Sequence, residues 1–187
     1  MPRGPSNRGP GWVAHIEAPG NTRESTGAGP GPWLLLCAAT GAGAGFAPIA
    51  PGTAGAAVGV ALFWLLVGLG PWLYALALLS LLSLGIRAAD AAERAYGRKD
   101  DGRIVIDEVV GQLLALAPLS AAGEAAGWFP VVTGFVAFRV FDVWKPPLAR
   151  RAERLGGGAG VMLDDVVAGA CAAPFALAAL ATGWLAG

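Results

Sequence analysis

The chain has 187 residues and a formal net charge of zero, with 55% hydrophobic and only 14% charged residues. Soluble domains carry about 25% charged residues, so this chain is too apolar to be disordered and too poor in charge to cover a water-exposed surface. The zero net charge and the lack of a basic stripe argue against nucleic-acid binding. A mean hydropathy of +0.58 indicates a membrane protein.

The first 31 residues differ in composition from the rest of the chain. They contain seven glycines, five prolines and scattered charges, and they lack the basic-then-apolar layout of a signal peptide. We therefore expect residues 1–31 to form a disordered, low-complexity tail. Residues 32–187 are expected to form one membrane-embedded domain.

The spacing of charges predicts the membrane spans. No Asp, Glu, Lys, Arg or His occurs from Ser25 to Ile86 or from Val166 to Gly187, and a transmembrane helix needs about 20 apolar residues. Glycines and prolines break the stretch from Trp33 to Ala50, so we expect an interfacial or re-entrant segment there. The predicted fold is an all-α, polytopic membrane helix bundle with about five spans, at about 54–68, 72–88, 105–120, 128–144 and 164–184.

The positions of the basic residues predict the orientation. All thirteen Lys and Arg residues lie in the tail, in residues 87–103 or in residues 139–154. The positive-inside rule places these three segments in the cytoplasm. The starts of spans one, three and five and the end of span four then meet at the cytoplasmic face.

Five carboxylates lie inside these apolar helices or at their ends. Ionisable groups in such places are costly and indicate a functional site. Helix capping is the alternative, because acids favour helix N-termini. Capping does not require two pairs of adjacent acids, each followed by Val-Val, and it does not explain an acid at the end of a span. We therefore interpret the five acids as candidate catalytic and metal-binding residues: Asp107, Glu108, Asp142, Asp164 and Asp165.

Clustered carboxylates repel one another unless a cation lies between them. Mg²⁺ takes oxygen ligands and commonly binds a few carboxylates together with substrate phosphate. We therefore predict a Mg²⁺ site, and leave open which acid of each pair is a ligand and which acts as a base. Gly111 and Gly169 each follow an acid by four residues, and small residues there would let two helices approach closely.

Other residues are suited to bind an anion near this cluster. Arg139 and Lys145 flank Asp142 at a spacing of i, i+3 and i+6, so both cations could hold a phosphate; a structural Arg–Asp pair is the alternative. Gly52 and Thr53 begin span one, where free backbone N–H groups can bind an anion. The glycine-rich segment 156–160 is either a flexible hinge or a loop that approaches phosphate.

Missing motifs narrow the chemistry. The only histidine, His15, lies in the tail, and neither Cys37 nor Cys171 begins a Cys-x5-Arg loop. Asp-x-Asp and G-x-x-x-x-G-K-[ST] motifs are also absent from the sequence. The nucleophile is then either a water molecule activated by a metal ion or a carboxylate.

Three motifs resemble the phosphatidylglycerophosphatase A family of bacterial membrane phosphatases. They are Ile-Val-x-Asp-Glu-x-x-Gly (104–111), Phe-Arg-x-x-Asp-x-x-Lys-Pro (138–146) and Gly-Gly-x-Gly-x-Met-x-Asp-Asp-x-x-Ala-Gly (157–169), with a fourth similar stretch at 41–55. The similarity covers about Trp33 to Trp184. The similarity is interrupted after Pro146, where the family usually continues Trp-Pro-Ile and this chain continues Pro-Leu-Ala. The missing tryptophan would change the contact with lipid.

The resemblance implies Mg²⁺-dependent hydrolysis of phosphatidylglycerophosphate to phosphatidylglycerol and phosphate, in phospholipid biosynthesis. It also implies a multi-pass protein of the bacterial cytoplasmic (inner) membrane. Two alternatives remain open: a phosphatase acting on another lipid phosphate, and a transport protein whose acids bind a permeating cation. Transporters place such charges near the membrane midplane, whereas these acids cluster at one face.

Overall fold

The computed structural model describes residues 30–186, which form seven α-helices joined by short loops and 3₁₀ turns. No strand occurs within this range, so the all-α expectation is confirmed. Of the predicted tail, only Pro30 and Gly31 lie within the described residues, and they begin the first helix. The helices are α1 (Pro30–Ala39), α2 (Pro51–Leu66), α3 (Pro71–Tyr96), α4 (Ile106–Leu116), α5 (Trp128–Trp144), α6 (Pro147–Ala152) and α7 (Gly157–Ala186).

Proline and left-handed residues mark the helix ends. Proline begins α2, α3 and α6, because its fixed φ suits a first helical turn and its missing N–H group would have no partner there. Gly97, the residue that follows α3, has a φ of 64°. Lys145, the residue that follows α5, takes a φ of 49° without being a glycine.

Three described helices are long and apolar enough to cross a membrane: Pro51–Leu69, Pro71–Tyr96 and Gly157–Gly183. α4 has 11 residues and α5 has 17. At 1.5 Å per residue these two helices are about 16 and 25 Å long, whereas the hydrocarbon core is about 30 Å thick. The all-helical architecture is therefore confirmed, but the count of about five spans is not.

α4 is the central helix of the bundle. It packs against α2, α3, α5 and α7, and nine of its eleven residues are buried. The outer surface, by contrast, exposes large apolar side chains, among them Leu65, Trp72, Leu79 and Val136. A polar centre inside an apolar exterior is the arrangement expected of a protein surrounded by lipid.

The predicted close approach of two helices is found where α4 crosses α7. A Cβ atom added to Gly111 would lie 2.6 Å from Cε2 of Phe138 and 2.8 Å from the carbonyl oxygen of Asp165. A Cβ atom added to Gly169 would overlap the carbonyl oxygen of Gly111. The two glycines therefore face each other, and no larger residue fits at either position without moving a helix.

Most of the segment 156–160, for which a hinge or a phosphate loop was expected, is the first turn of a helix. α7 begins at Gly157, and the N–H group of Gly158 donates a hydrogen bond of 2.6 Å to Oδ1 of Asp90 on α3. A Cβ atom on Gly158 would overlap the carbonyl oxygen of Ile86. The glycines here allow α7 to pack against α3.

The early start of α7 also bears on the acids that follow. Asp164 and Asp165 are the eighth and ninth residues of α7, not the first residues of a helix as their sequence position suggested. Favourable interactions with a helix N-terminus fall off within the first turn. Capping therefore does not explain this pair.

The broken segment before α2 packs beneath the loop that leads to α4. After α1 the chain makes a 3₁₀ turn, Ala44–Phe46, and a Cβ atom on Gly45 would overlap the carbonyl oxygen of Arg103. The N–H group of Val105 donates a hydrogen bond of 2.8 Å to the carbonyl oxygen of Ala39. These contacts hold the start of α4 in place.

Candidate active site

Three carboxylates converge between α4 and α7. One oxygen each from Asp107, Glu108 and Asp165 lies within 4.8 Å of the others. The glycine crossing explains this convergence, because Asp107 lies one turn before Gly111 and Asp165 lies one turn before Gly169. The close contact of the helices therefore places the acids opposite each other, and the structure brings together residues 58 positions apart in sequence.

Two of these carboxylates have an oxygen with no hydrogen-bond partner. Oδ1 of Asp107 and Oε2 of Glu108 are buried and unpaired. A buried carboxylate is costly unless it is paired or binds a metal. The donor set consists of hard oxygen ligands alone, which is the set that Mg²⁺ takes in proteins. The three residues therefore fit a divalent cation.

α5 brings a fourth carboxylate and a guanidinium to the edge of this triad. Arg139 pairs with Asp142 one turn further along the helix. The charge of Asp142 acts on both Glu108 and Asp165, and that of Arg139 acts on Glu108. The ion pair between Arg139 and Asp142, which was the structural alternative to phosphate binding, is thus present, and it borders the acid triad.

Lys145 lies at the site, but not because it shares a helix face with Arg139 and Asp142, as its spacing suggested. It lies beyond the last residue of α5, so a shared helix face does not bring it in. Its Nζ atom lies 3.0 Å from Oδ2 of Asp164 on α7. This ion pair joins the end of α5 to the turn of α7 that carries Asp165.

The start of α2 contacts the site through a glycine. A Cβ atom on Gly52 would overlap Oε1 of Glu108 and lie 3.2 Å from Nη1 of Arg139. The N–H groups of Thr53 and Ala54 are not free as expected, because both donate hydrogen bonds to the carbonyl oxygen of Ala50. Gly52 therefore provides room for the acid and the guanidinium, and Thr53 lines an open groove beside Arg139.

Gln112 was not among the predicted site residues. This side chain is fully buried, and neither its amide nitrogen nor its amide oxygen has a hydrogen-bond partner. It lies one turn after Glu108 on the same face of α4. The signal was available in the sequence, because Gln112 is the only polar side chain in the apolar run from Val109 to Leu119.

The loop between α3 and α4 also contributes polar groups that spacing did not indicate. Lys99 and Asp100 line a cavity of about 150 Å³ together with Val161 and Asp164. The composition showed a charged loop, but sequence alone does not show which of its residues fold back over α7.

An internal ion pair shapes this loop. Nε of Arg103 lies 2.7 Å from Oδ1 of Asp101, and its guanidinium carbon lies 3.8 Å from the centre of the Tyr96 ring. Hydrogen bonds from Arg103 lower the pKa of Asp101 to about 2. The pair fixes the chain just before the first turn of α4, which carries Asp107 and Glu108.

Comparisons with known proteins show which family the chain is similar to. The model of the Phosphatidylglycerophosphatase A family matches residues 37–180, a range that includes every residue of the site. Phosphatidylglycerophosphatase A of Escherichia coli (strain K12) is 38% identical over 144 residues, covering 76% of this chain and 80% of that protein. No solved structure matches the chain.

Two further relatives are similar over most of the chain. The Putative phosphatidylinositol-3-phosphatase of Bacteroides thetaiotaomicron is 40% identical over 143 residues, covering 73% of this chain and 87% of that protein. Phosphatidylglycerophosphatase A of Haemophilus influenzae is 34% identical over 132 residues, covering 70% of this chain and 78% of that protein.

Proposed function

The chain belongs to the phosphatidylglycerophosphatase A family of phosphoric monoester hydrolases, and we propose that it hydrolyses phosphatidylglycerophosphate to phosphatidylglycerol and phosphate with Mg²⁺. The observation that carries the Mg²⁺ proposal is the convergence of three carboxylates, two of which have a buried oxygen without a partner. The guanidinium of Arg139 lies at the edge of this triad, where it can bind a phosphate.

Asp107, Glu108 and Asp165 are the residues that would hold Mg²⁺, with Asp142 next to them. A bound Mg²⁺ ion would neutralise part of the phosphate charge and would lower the pKa of a water molecule. Unpaired oxygens of Asp107 and Glu108 support this assignment.

The cations of the site bind and orient the phosphate. The Arg139 guanidinium is planar and can donate two parallel hydrogen bonds to phosphate oxygens. Asp142 holds that guanidinium in position, and Asp164 does the same for the ammonium of Lys145. Each basic group is thus positioned by an acid before substrate arrives, which reduces the entropy lost on binding.

Hydrolysis breaks the bond between the phosphorus of the terminal phosphate and the oxygen of the headgroup glycerol that carries it. Water supplies the new oxygen on phosphorus, a carboxylate of the site takes up a proton from that water, and the departing glycerol oxygen gains a proton. Direct attack by a carboxylate is the alternative, and it would leave an acyl phosphate that hydroxylamine cleaves.

We place the protein in the bacterial cytoplasmic membrane with about five spans and its site at the cytoplasmic face. The distribution of Lys and Arg supports this orientation. The test is labelling of single cysteines in intact cells, after Cys37 and Cys171 have been replaced by serine. Arg98→Cys and Arg151→Cys should resist a membrane-impermeant reagent, and Gly123→Cys should react. Labelling of the first two from outside would invert the topology.

The decisive experiment is phosphate release by the purified protein in mixed micelles. Release from phosphatidylglycerophosphate with Mg²⁺, and its loss with EDTA, are expected. Phosphatidylinositol 3-phosphate belongs in the panel, because a relative 40% identical carries a name for that activity. Faster release from another lipid phosphate would replace the proposed substrate. Cation flux into sealed vesicles that contain the protein, without phosphate release, would favour the transport alternative.

A further inference from the structure

A seam open to the exterior runs between α2 and α5. Both helices pack against α4, but they touch each other little. The gap consists of two grooves, of about 650 Å³ and about 200 Å³, which share Phe135. Thr53, Ala57 and Val60 line it from α2 at a spacing of i, i+4 and i+7, which is one helix face.

The seam follows the whole of α5. Trp144 lines it at the end of α5, and Trp128 lines it at the start of α5, where its ring lies 5.0 Å from that of Trp64. The 17 residues of α5 span about 25 Å. One leaflet of hydrocarbon is about 15 Å deep, half of the membrane core. The seam is therefore long enough for a lipid chain that lies along α5.

This apolar surface carries a single charge. Among the described residues that line the two grooves, Arg139 is the only charged one; it is the twelfth of the 17 residues of α5 and is paired with Asp142 at the edge of the acid triad. By contrast, a groove of about 350 Å³ lies beside α1 and is lined by Trp33, Phe46 and Tyr96 among others; none of the described residues that line it is charged. The α2–α5 seam thus combines an apolar path with a cation that suits a phosphate.

We propose that the seam holds an acyl chain of the phosphorylated glycerolipid substrate while the phosphate of that lipid binds at Arg139. This inference rests on the proposed function, because it requires a lipid phosphate as substrate. An acyl chain that moves from the bilayer into the seam exchanges one apolar environment for another, so this transfer adds little to the affinity for the lipid. The seam instead directs the headgroup toward the carboxylates, which raises the frequency of productive alignment.

Kinetics with a matched pair of variants test the path. Ala57 is exposed and lines the seam, so Ala57→Phe fills it without entering the core. Ala75 is exposed on α3, outside the seam, and Ala75→Phe is the control. With a long-chain substrate in micelles, we expect kcat/KM to fall about tenfold in Ala57→Phe and to stay unchanged in Ala75→Phe. A dihexanoyl substrate should show no difference between them; equal long-chain rates would overturn the proposal.

Photo-crosslinking separates the seam from the proposed reaction. Phosphatidic acid and phosphatidylcholine, each with a diazirine on one acyl chain, are incorporated into nanodiscs with the protein. We expect the phosphatidic acid probe to label α5 near Phe135 more than the phosphatidylcholine probe does, with equal labelling near Leu79 on the outside of α3. Equal labelling of α5 by both probes would mean that bulk lipid fills the seam, and would overturn the inference. Selective labelling without phosphate release would refute the proposed function alone.

Discussion

Replacing Asp107 by asparagine should stabilise the metal-free protein and weaken its response to Mg²⁺. Asp107, Glu108 and Asp165 each place an oxygen within 4.8 Å of the others. Two unit charges at that distance repel by about 3.5 kcal/mol at an effective dielectric constant of about 20. Asp107→Asn removes two of the three repulsive pairs while keeping the size of the side chain.

The expected gain is smaller than the sum of two such pairs. Uptake of a proton by the native triad already relieves part of the repulsion, so we expect Asp107→Asn to add about 2 kcal/mol to the free energy of unfolding. For a chain of this size, that corresponds to a rise in Tm of about 4–8 °C in EDTA. Mg²⁺ at one hundred times its Kd should stabilise the native protein by about 2.7 kcal/mol, and the variant by less than half of that.

The assay is thermal unfolding in detergent, with EDTA and across a Mg²⁺ titration. Glu93→Gln is the control, because Glu93 accepts a hydrogen bond from the Asp100 backbone away from the triad and glutamine keeps that acceptor. The control should follow the native protein in both conditions. A native Tm that does not respond to Mg²⁺, or an Asp107→Asn variant less stable than the native protein in EDTA, would refute the reasoning.

Three further predictions concern catalysis and packing. Asp142→Asn and Asp165→Asn should each nearly abolish phosphate release while the protein stays folded; full activity in both would exclude a shared site. Arg139→Lys should lower kcat/KM by about tenfold or more, because the two-pronged guanidinium contact is lost; an unimpaired variant would make Arg139 structural. Gly169→Ala should destabilise the fold by about 1–3 kcal/mol through overpacking and should reduce activity. Gly183→Ala is the control and should do neither, because its Cβ atom meets nothing within 4 Å. A stable, active Gly169→Ala variant would contradict the close contact of α4 with α7 at this glycine.

Much of the fold was predictable because it depends on local rules. Proline, glycine and the charge-free runs mark helix ends, and α5 begins and ends at the predicted residues, 128 and 144. The start of α7 was misplaced by seven residues, because Gly157–Gly160 was interpreted as loop. Glycine lowers helix propensity, but contact with α3 at Gly158 outweighs that cost.

The acids of the site were predictable, but most of their partners were not. The cost of burying charge singles out Asp107, Glu108 and Asp165 in an apolar sequence. Lys145 shows the limit of spacing, because its ion pair is with Asp164, 19 residues away on another helix. Gln112 was missed because an uncharged amide becomes informative only when its burial and its lack of a partner are known.

Close packing and charge repulsion oppose each other where α4 crosses α7. Gly111 and Gly169 allow contact between the two backbones, and the same contact places Asp107 and Asp165 face to face one turn away. Wider helix spacing would lower the repulsion but would leave the acids too far apart to share one ion. The glycines therefore serve the acid cluster as well as the fold: they supply the contact energy that holds like charges at the short separation which a divalent cation requires. It follows that a substitution at the crossing and a substitution at the acids should alter Mg²⁺ binding together.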